Sequence, residues 1–279
     1  MATIFQESGT DATQGFEFWS STTGTVTSDS TQSKTGPRSI KCDTGAIPTT
    51  NATVKKNSVL SDAGRRIDFY IRFDSSCIGS LTNAILLRGL TSAGDFVFAL
   101  TKRGDDKLVL VNVLNVSSLT VVADVWYRIC VSYTITSTTV NEFRLYVDGN
   151  LEVSNSNQIL NSTGSDRLQL GLETNSANKI LYIDDIYVDD SSALTDTGDI
   201  RVTSKLPNAE NVNNFDTAIG TARGTTDYNN VNERPLSETN GWEHDSGTQV
   251  SENYGIQNAA TGDTDLTGAT LVARTSWVW

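Results

Sequence analysis

The chain has 279 residues, of which 37% are hydrophobic and 19% charged, and its formal net charge at pH 7 is −12. Such an acidic surface repels phosphate backbones, which excludes nucleic acid as a favoured partner. No apolar run approaches the roughly 18 residues of a membrane span, and the N-terminus lacks the basic start and apolar segment of a secretory signal. We therefore expect a protein made in the cytoplasm, with no membrane partner.

The first part of the chain is a series of short strands separated by turns. Residues 67–73 alternate strictly, with Ile67 and Phe69 on one face and Asp68 on the other. Short apolar runs follow at residues 84–87, 96–100 and 108–114. No segment keeps the spacing of a surface helix beyond two turns, and turn residues recur about every ten positions. This pattern predicts an all-β sandwich.

Residues 126–190 give the clearest strand pattern. Tyr127, Ile129 and Val131 alternate with polar residues, as in a half-buried strand. The strand that ends at Val147 runs into Asp148-Gly149, a dipeptide that favours a type I′ hairpin turn with Gly149 at positive φ. Leu168, Leu170 and Leu172 alternate again, and residues 180–188 are apolar on both faces, which is typical of a central strand.

These strands also carry a resemblance. A strand led by Trp126, followed by LYVDGN, LQLG and YIDDIYV, resembles the concanavalin A-like, laminin-G-like superfamily. The later segments GDIRVTSKLP and YNNVNERP resemble the C-terminal continuation of structural proteins of tailed bacteriophages, and FQESGTDATQGFEFW and SKTGPRSIKC resemble the opening strands of such domains. The resemblance implies an antiparallel jelly-roll β-sandwich over residues 1–198 in a virion protein.

Residues 199–279 form the second predicted region, an irregular extension. Apolar residues are scarce from residue 208 to 267, so this stretch cannot bury a large core by itself. Strand character returns at residues 269–279, where Trp277 and Trp279 would be costly if exposed. We expect these two tryptophans to anchor the extension at an interface, in a homo-oligomer or on another virion protein, by pairing at a sheet edge.

The residues that could catalyse a reaction are few. Some lectin-like jelly rolls are glucanases, which carry the carboxylates of a Glu-x-Asp-x-x-Glu pattern on one strand face, and that pattern is absent here. The single histidine, His244, lies in a polar segment with no nucleophile elbow. Asp184 and Asp185 are adjacent, so a regular strand would place them on opposite faces. The sequence therefore predicts a protein that is not an enzyme, and a glycoside hydrolase is disfavoured.

Candidate binding residues follow from the resemblance and from the aromatic content. The resemblance implies a structural Ca²⁺ held by Glu7 with Asp184 or Asp185; the alternative is that one aspartate faces solvent and the other bonds loop amides at the edge of the sheet. No other cofactor is expected, and Cys42, Cys77 and Cys130 are expected to be free thiols. Candidates for an aromatic sugar platform are Trp19, Trp126, Tyr146 and Tyr187, although core packing is the commoner role of such residues, and Arg128 and Arg144 are most simply solvated.

Two functional classes remain. The first is a structural protein that decorates or bridges the capsid or tail of a tailed phage. The second is a carbohydrate-binding module on the virion surface. Exposed aromatic residues with polar neighbours would favour the second class.

Overall fold

A computed structural model describes residues 3–7, 16, 19–36, 38–47, 51–79, 81, 83–111, 116–199, 202, 207–212, 217–219, 241–243 and 253–256. The strands are β1 (Thr3–Glu7), β2 (Ser21–Thr23), β3 (Thr25–Asp29), β4 (Ser39–Asp43), β5 (Ala52–Lys56), β6 (Arg65–Phe73), β7 (Ala84–Thr91), β8 (Phe96–Lys102), β9 (Lys107–Val111), β10 (Val116–Thr120), β11 (Trp126–Ile135), β12 (Asn141–Val147), β13 (Asn150–Ser156), β14 (Ser165–Glu173), β15 (Ile180–Asp189), β16 (Pro207–Val212), β17 (Thr217–Ile219), β18 (Gly241–Glu243) and β19 (Asn253–Ile256). A 3₁₀ turn spans Ser75–Cys77. No helix in these ranges is long and apolar enough to cross a membrane.

The strands form two antiparallel sheets that make a sandwich, so the predicted all-β class is confirmed. Sheet A has the order β13-β12-β11-β6-β15-β4-β3, and β1 also pairs with β15. Sheet B has the order β10-β9-β8-β7-β14-β5-β2. β15 is central in sheet A, because β6 pairs along one edge while β4 and β1 share the other. Its predicted central position is therefore correct.

The core lies between the inner faces of the two sheets. The alternation predicted from the sequence holds: Ile67, Phe69, Tyr127 and Ile129 all point into one cluster of buried side chains. The side chain of Phe98, on β8 of sheet B, packs against Tyr133, on β11 of sheet A, with the two ring centroids 4.6 Å apart. Every second residue of β11, and of β6 from Ile67 onward, is apolar, and an extended backbone places all of these side chains on the core face. Their burial therefore stabilises the strand conformation of both segments.

One stretch of backbone belongs to both sheets. β2 pairs with β5 in sheet B, and β3, which follows after the single residue Gly24, pairs with β4 in sheet A. Gly24 has φ +70, and a Cβ atom built on it would lie 1.9 Å from the carbonyl oxygen of Asn51. Only glycine can occupy this position, since both the backbone angle and the close approach exclude a side chain.

The chain divides into two compact units, Met1–Ser204 and Lys205–Trp279. The second unit contains two small sheets, in which β16 pairs with β19 and β17 pairs with β18. Trp277, Trp279 and His244 lie outside the described residues, so the predicted interface role of the two tryptophans stays a prediction. The sequence-based boundary at residue 198 likewise stays a prediction.

The predicted hairpin between β12 and β13 is confirmed. Val147 pairs with Asn150, and the two residues between them both have positive φ, +50 for Asp148 and +84 for Gly149. Two consecutive positive φ angles are the mark of a type I′ turn. The Asp148 carboxylate also accepts the backbone N–H of Arg128 at 2.8 Å, which ties the turn to β11.

Replacing Gly149 with valine is therefore expected to lower the free energy of unfolding by about 1–2 kcal/mol, because a β-branched residue resists positive φ. A Cβ atom at this position would meet the nearest atom at 3.5 Å, an ordinary contact, so the loss arises from the backbone angle. Urea denaturation measures it. Gly149→Asn is the matched control, since asparagine tolerates this conformation; equal losses in the two variants would contradict the turn assignment.

Candidate functional site

The outer face of sheet A, the face turned away from the core, carries most of the buried charge of the described sandwich. Residues that alternate with core positions on β6 point to this face: Arg66, Asp68, Tyr70 and Arg72. β11, β12 and β15 contribute further polar side chains, namely Trp126, Arg128, Cys130, Ser132, Arg144, Tyr146, Tyr182, Asp184, Tyr187 and Asp189. The strand register arranges them in rows that run across the sheet.

Residues 190–199, which we call the strap, lie over three of these rows. The Leu194 carbonyl oxygen accepts hydrogen bonds from Nη1 of Arg144 at 2.7 Å and from the hydroxyl of Tyr146 at 2.9 Å. The Tyr70 hydroxyl donates to the Asp199 carboxylate. The strap has no regular secondary structure, and none of its side chains is fully buried. Polar bonds to the sheet, with little apolar burial, therefore fix its position.

Arg128 is the centre of the bonding between strap and sheet. Its Nη2 lies 2.6 Å from Oδ2 of Asp196, and its Nη1 lies 3.4 Å from Oδ2 of Asp68 and also donates to the Gly198 carbonyl. The Thr197 hydroxyl donates to the same Asp68 oxygen. Burial raises the pKa of Asp68 to about 7, although Thr197 and Arg128 oppose the shift. Because the Arg128 side chain is only 7% exposed, these carboxylates replace the water that it lost.

A second buried ion pair lies in the row nearest the start of the strap. Arg66 of β6 and Asp189 of β15 stand opposite each other in the register, and Nη2 of Arg66 lies 2.7 Å from Oδ2 of Asp189. The Nε atom of Arg66 also donates to both oxygens of this carboxylate. This multiply bonded pair joins the two central strands on the side away from the core.

One cluster of the described residues has the composition of a metal site. Ligand atoms of Asp68, Cys130 and Asp196 all lie within 4.8 Å of one another. The Arg128 guanidinium, however, is already bonded to both carboxylates of the cluster. Burial, together with the charge of Asp68, raises the pKa of the Cys130 thiol well above its ordinary value, so the thiolate that a metal requires is disfavoured. The arrangement fits a guanidinium rather than a metal ion.

The residues predicted to bind calcium are placed differently from a calcium cage. Asp184 and Asp185 lie at a bulge in β15, where Asp185 has φ +48, so both are buried rather than on opposite faces. Oδ2 of Asp184 accepts the backbone N–H groups of Lys34 at 2.7 Å and Thr35 at 3.2 Å. Asp185 accepts the Thr35 hydroxyl and, at 2.9 Å, the N–H of Val202. Glu7 is also buried, but it does not join them in a compact group of metal-ligating atoms among the described residues.

This geometry favours bonding to loop groups, because N–H and O–H donors surround oxygens that calcium would need. The alternative expected one of the two aspartates to face solvent, and in that respect it is wrong, since both are buried. Chelation with EDTA is expected to leave the melting temperature unchanged. A fall of several degrees that added Ca²⁺ reverses, and that is absent in Asp184→Asn, would instead support the calcium prediction.

Asp184 predicts a pH dependence of stability. Burial and the neighbouring Asp185 carboxylate raise the pKa of Asp184 from 3.8 to about 8, although backbone N–H donors oppose the shift. The folded state therefore binds the proton more tightly than the unfolded chain, and stability falls as the pH rises from about 4 to about 8.

The variant Asp184→Asn should reduce this pH dependence to the part that Asp68 contributes. It should also lower stability overall, because an amide cannot accept all three N–H groups that the carboxylate accepts. Urea denaturation at a series of pH values between 4 and 8 measures both effects. Asp105→Asn, at an exposed carboxylate in the β8–β9 turn, is the control. If Asp184→Asn keeps the full slope, another group causes it.

The candidate aromatic and arginine residues differ in where they lie and in how deeply they are buried. Trp19 is a core residue, 5% exposed and edge-on to Phe5, while Tyr146 lies under the strap. Trp126 and Tyr187 are half-buried on the outer face. Arg128 and Arg144 point away from the core as predicted. The expectation of solvation is wrong for Arg128, which is buried beneath the strap, whereas Arg144 is half-buried with its Nη1 bonded to the strap. The cysteines are free and buried, as predicted.

One row of the outer face is not bonded to the strap. Trp126, Arg72, Tyr182 and Lys41 are successive cross-strand neighbours on β11, β6, β15 and β4, and we call them the open row. Arg72 lies over the Tyr182 ring, 5.4 Å from its centroid, and its Nη2 is 2.7 Å from Oδ1 of Asp124. Lys41 pairs with Asp43 at 3.6 Å. This row therefore offers an indole ring beside two ion pairs that keep contact with solvent.

No protein-family model and no curated protein matches the chain. Some solved structures are similar to the chain. An endo-β-1,4-glucuronan lyase from the fungus Trichoderma reesei has a TM-score of 0.56 at 14% identity, covering 68% of this chain and 96% of the lyase. The cellulose-induced protein Cip1 has a TM-score of 0.49 at 12% identity, covering 67% and 97%. The receptor-binding domain of botulinum neurotoxin type G has a TM-score of 0.41 at 12% identity, covering 61% and 42%.

The similarity to the lyase corrects one prediction. The expectation that the chain is not an enzyme rested on the absence of the paired carboxylates that hydrolysis requires, and it is overturned by a lyase that has the same sandwich without sharing the sequence. The fold alone is shared at 14% identity, so no activity follows for this chain. The comparisons establish a jelly-roll-like β-sandwich and give no link to a phage particle.

Proposed function

We propose that this protein binds carbohydrate through the outer face of sheet A, as a component of a tailed-phage particle. The observation that carries the carbohydrate assignment is the open row. It combines a half-buried indole, whose exposed part can stack on the C–H face of a sugar ring, with paired donors and acceptors that suit neighbouring hydroxyl groups. The shared fold with a polysaccharide-cleaving enzyme supports the same class of ligand.

The geometry of the open row suits a chain of sugars rather than a single sugar. Trp126 and Tyr182 are two strands apart, which corresponds to about 9–10 Å across a sheet, roughly the length of a disaccharide. Arg72 lies between them and holds its guanidinium beside the Asp124 carboxylate. A glycan lying across the strands would contact the ring, the ion pair and then Lys41 in turn.

The second candidate is a structural protein that decorates or bridges parts of the virion. The resemblance of the segments after Gly198 to phage structural proteins supports it, as does the division of the chain into a sandwich and a separate C-terminal unit. Cryo-electron microscopy of the intact particle tests this location. The two candidates are compatible, because a virion protein can bind host glycans.

The variant Trp126→Ala is expected to weaken binding to the glycan that the wild type recognises by at least about tenfold, because a central aromatic anchor commonly contributes more than 1.4 kcal/mol. A polysaccharide array identifies the ligand, and isothermal titration measures the affinity. The control is Ile159→Ala, which removes a 78% exposed apolar side chain in the segment between β13 and β14. Equal affinities for Trp126→Ala and wild type would exclude the open row as the site.

A further inference from the structure

The strap occupies hydrogen-bond donors that a ligand could use. Arg144 and Tyr146 share one acceptor, the Leu194 carbonyl; Arg128 bonds to the Asp196 carboxylate; and Tyr70 bonds to that of Asp199. Each of these donors belongs to the sheet, and each of these acceptors belongs to the strap. The strap thus presents two carboxylates and a carbonyl oxygen to an array of guanidinium and phenol groups.

The chemical class of this surface differs from that of the open row. The two cations of the open row each have an acidic neighbour, Asp124 or Asp43, which suits uncharged hydroxyl groups. Beneath the strap, by contrast, Arg144 bonds to an acceptor of the strap, and Arg128 makes its shorter carboxylate contact with the strap, at 2.6 Å from Asp196 against 3.4 Å from Asp68. Withdrawal of the strap would remove Asp196 and Asp199 and leave a surface rich in arginine. Asp68 would remain 3.4 Å from Nη1 of Arg128, so Arg144 and the Nη2 side of Arg128 are the groups that lose their acceptors.

We propose that the strap is an internal stand-in for an acidic polysaccharide, and that its displacement extends the open row into a binding surface for uronate-type sugars. In this arrangement carboxylates of the ligand take the place of Asp196 and Asp199 opposite Arg128 and Tyr70. The ligand's hydroxyl oxygens replace the Leu194 carbonyl as the acceptor for Arg144 and Tyr146. This inference rests on the proposed carbohydrate function and assigns the ligand class of a covered part of the same face.

The construction of the strap fits exchange for a ligand. It has no fully buried side chain, so its removal costs little apolar burial, and a ligand would replace its polar bonds one for one. The net charge of −12 opposes binding of an acidic polymer. At physiological ionic strength, however, salt largely screens the repulsion between charges that are more than about 8 Å apart. Contacts between carboxylates and guanidinium groups on the face itself are much shorter.

The test compares two oligosaccharides that differ only at C6, one of glucuronic acid and one of glucose, by titration at fixed ionic strength. The strap is loosened in the double variant D196N/D199N, and Asp105→Asn is a control for change of surface charge. We expect the double variant to bind the glucuronic acid oligosaccharide about tenfold more tightly than wild type, with little change for the glucose oligosaccharide. Adding Arg128→Gln to the double variant should abolish this gain and Tyr70→Phe should reduce it, because these two residues face the carboxylates of the ligand.

Hydrogen exchange of residues 190–199 provides the second measurement. Faster exchange in the double variant, and faster exchange in wild type on adding the acidic oligosaccharide, are both expected. If the loosened variant exchanges faster but gains no affinity for the acidic sugar, the strap is a structural cover and the inference is wrong. Equal gains for both sugars would contradict the acidic class. If wild type, the double variant and the Asp105→Asn control bind no glycan on the array, the proposed carbohydrate function itself fails.

Discussion

The two faces of sheet A impose incompatible demands on the same strands, and the rest of the structure follows from how these demands are met. β6 and β11 place every second side chain in the core, where only apolar groups are favourable. Several of the intervening positions carry arginine, aspartate or tyrosine and are buried as well, namely Arg66, Asp68, Tyr70 and Arg128. Burying these polar and charged side chains would be costly if they lacked partners. The strand register provides one such partner by placing Arg66 opposite Asp189.

The strap supplies hydrogen-bond acceptors for buried groups that the strand register leaves without a close partner in the sheet. Arg128 has Asp68 nearby, but at 3.4 Å this single contact is a weak partner for a buried guanidinium. Asp196 provides the shorter contact, at 2.6 Å, and Gly198 provides a carbonyl. Removing one partner of such a buried pair commonly costs about 3–5 kcal/mol. The strap therefore takes a fixed path over the sheet because it supplies acceptors for buried donors such as Arg128, although it lacks regular secondary structure.

The parts of the fold that local periodicity controls could be predicted from the sequence. Alternation placed β6 and β11 correctly, and an apolar run with no polar face placed β15. Asp148-Gly149 located a hairpin because the turn chemistry acts over two residues. The outer face could not be resolved in the same way. Alternation shows that Arg128 points away from the core, but whether it meets water or a later segment depends on contacts about 70 residues apart. A useful signal was present in the opposite charges at Arg66 and Asp189, but the register was needed to pair them. Asp184 and Asp185 were misjudged because a bulge interrupts the alternation there.

The continuous backbone through Gly24 has a mechanical meaning. β2 and β3 are consecutive, yet they are hydrogen-bonded to different sheets, so the two layers of the sandwich are joined covalently at this edge by a single residue. A pulling force applied to one sheet along its strands would pass into the other through this joint and load its hydrogen bonds in shear. The two layers should therefore resist separation at this edge.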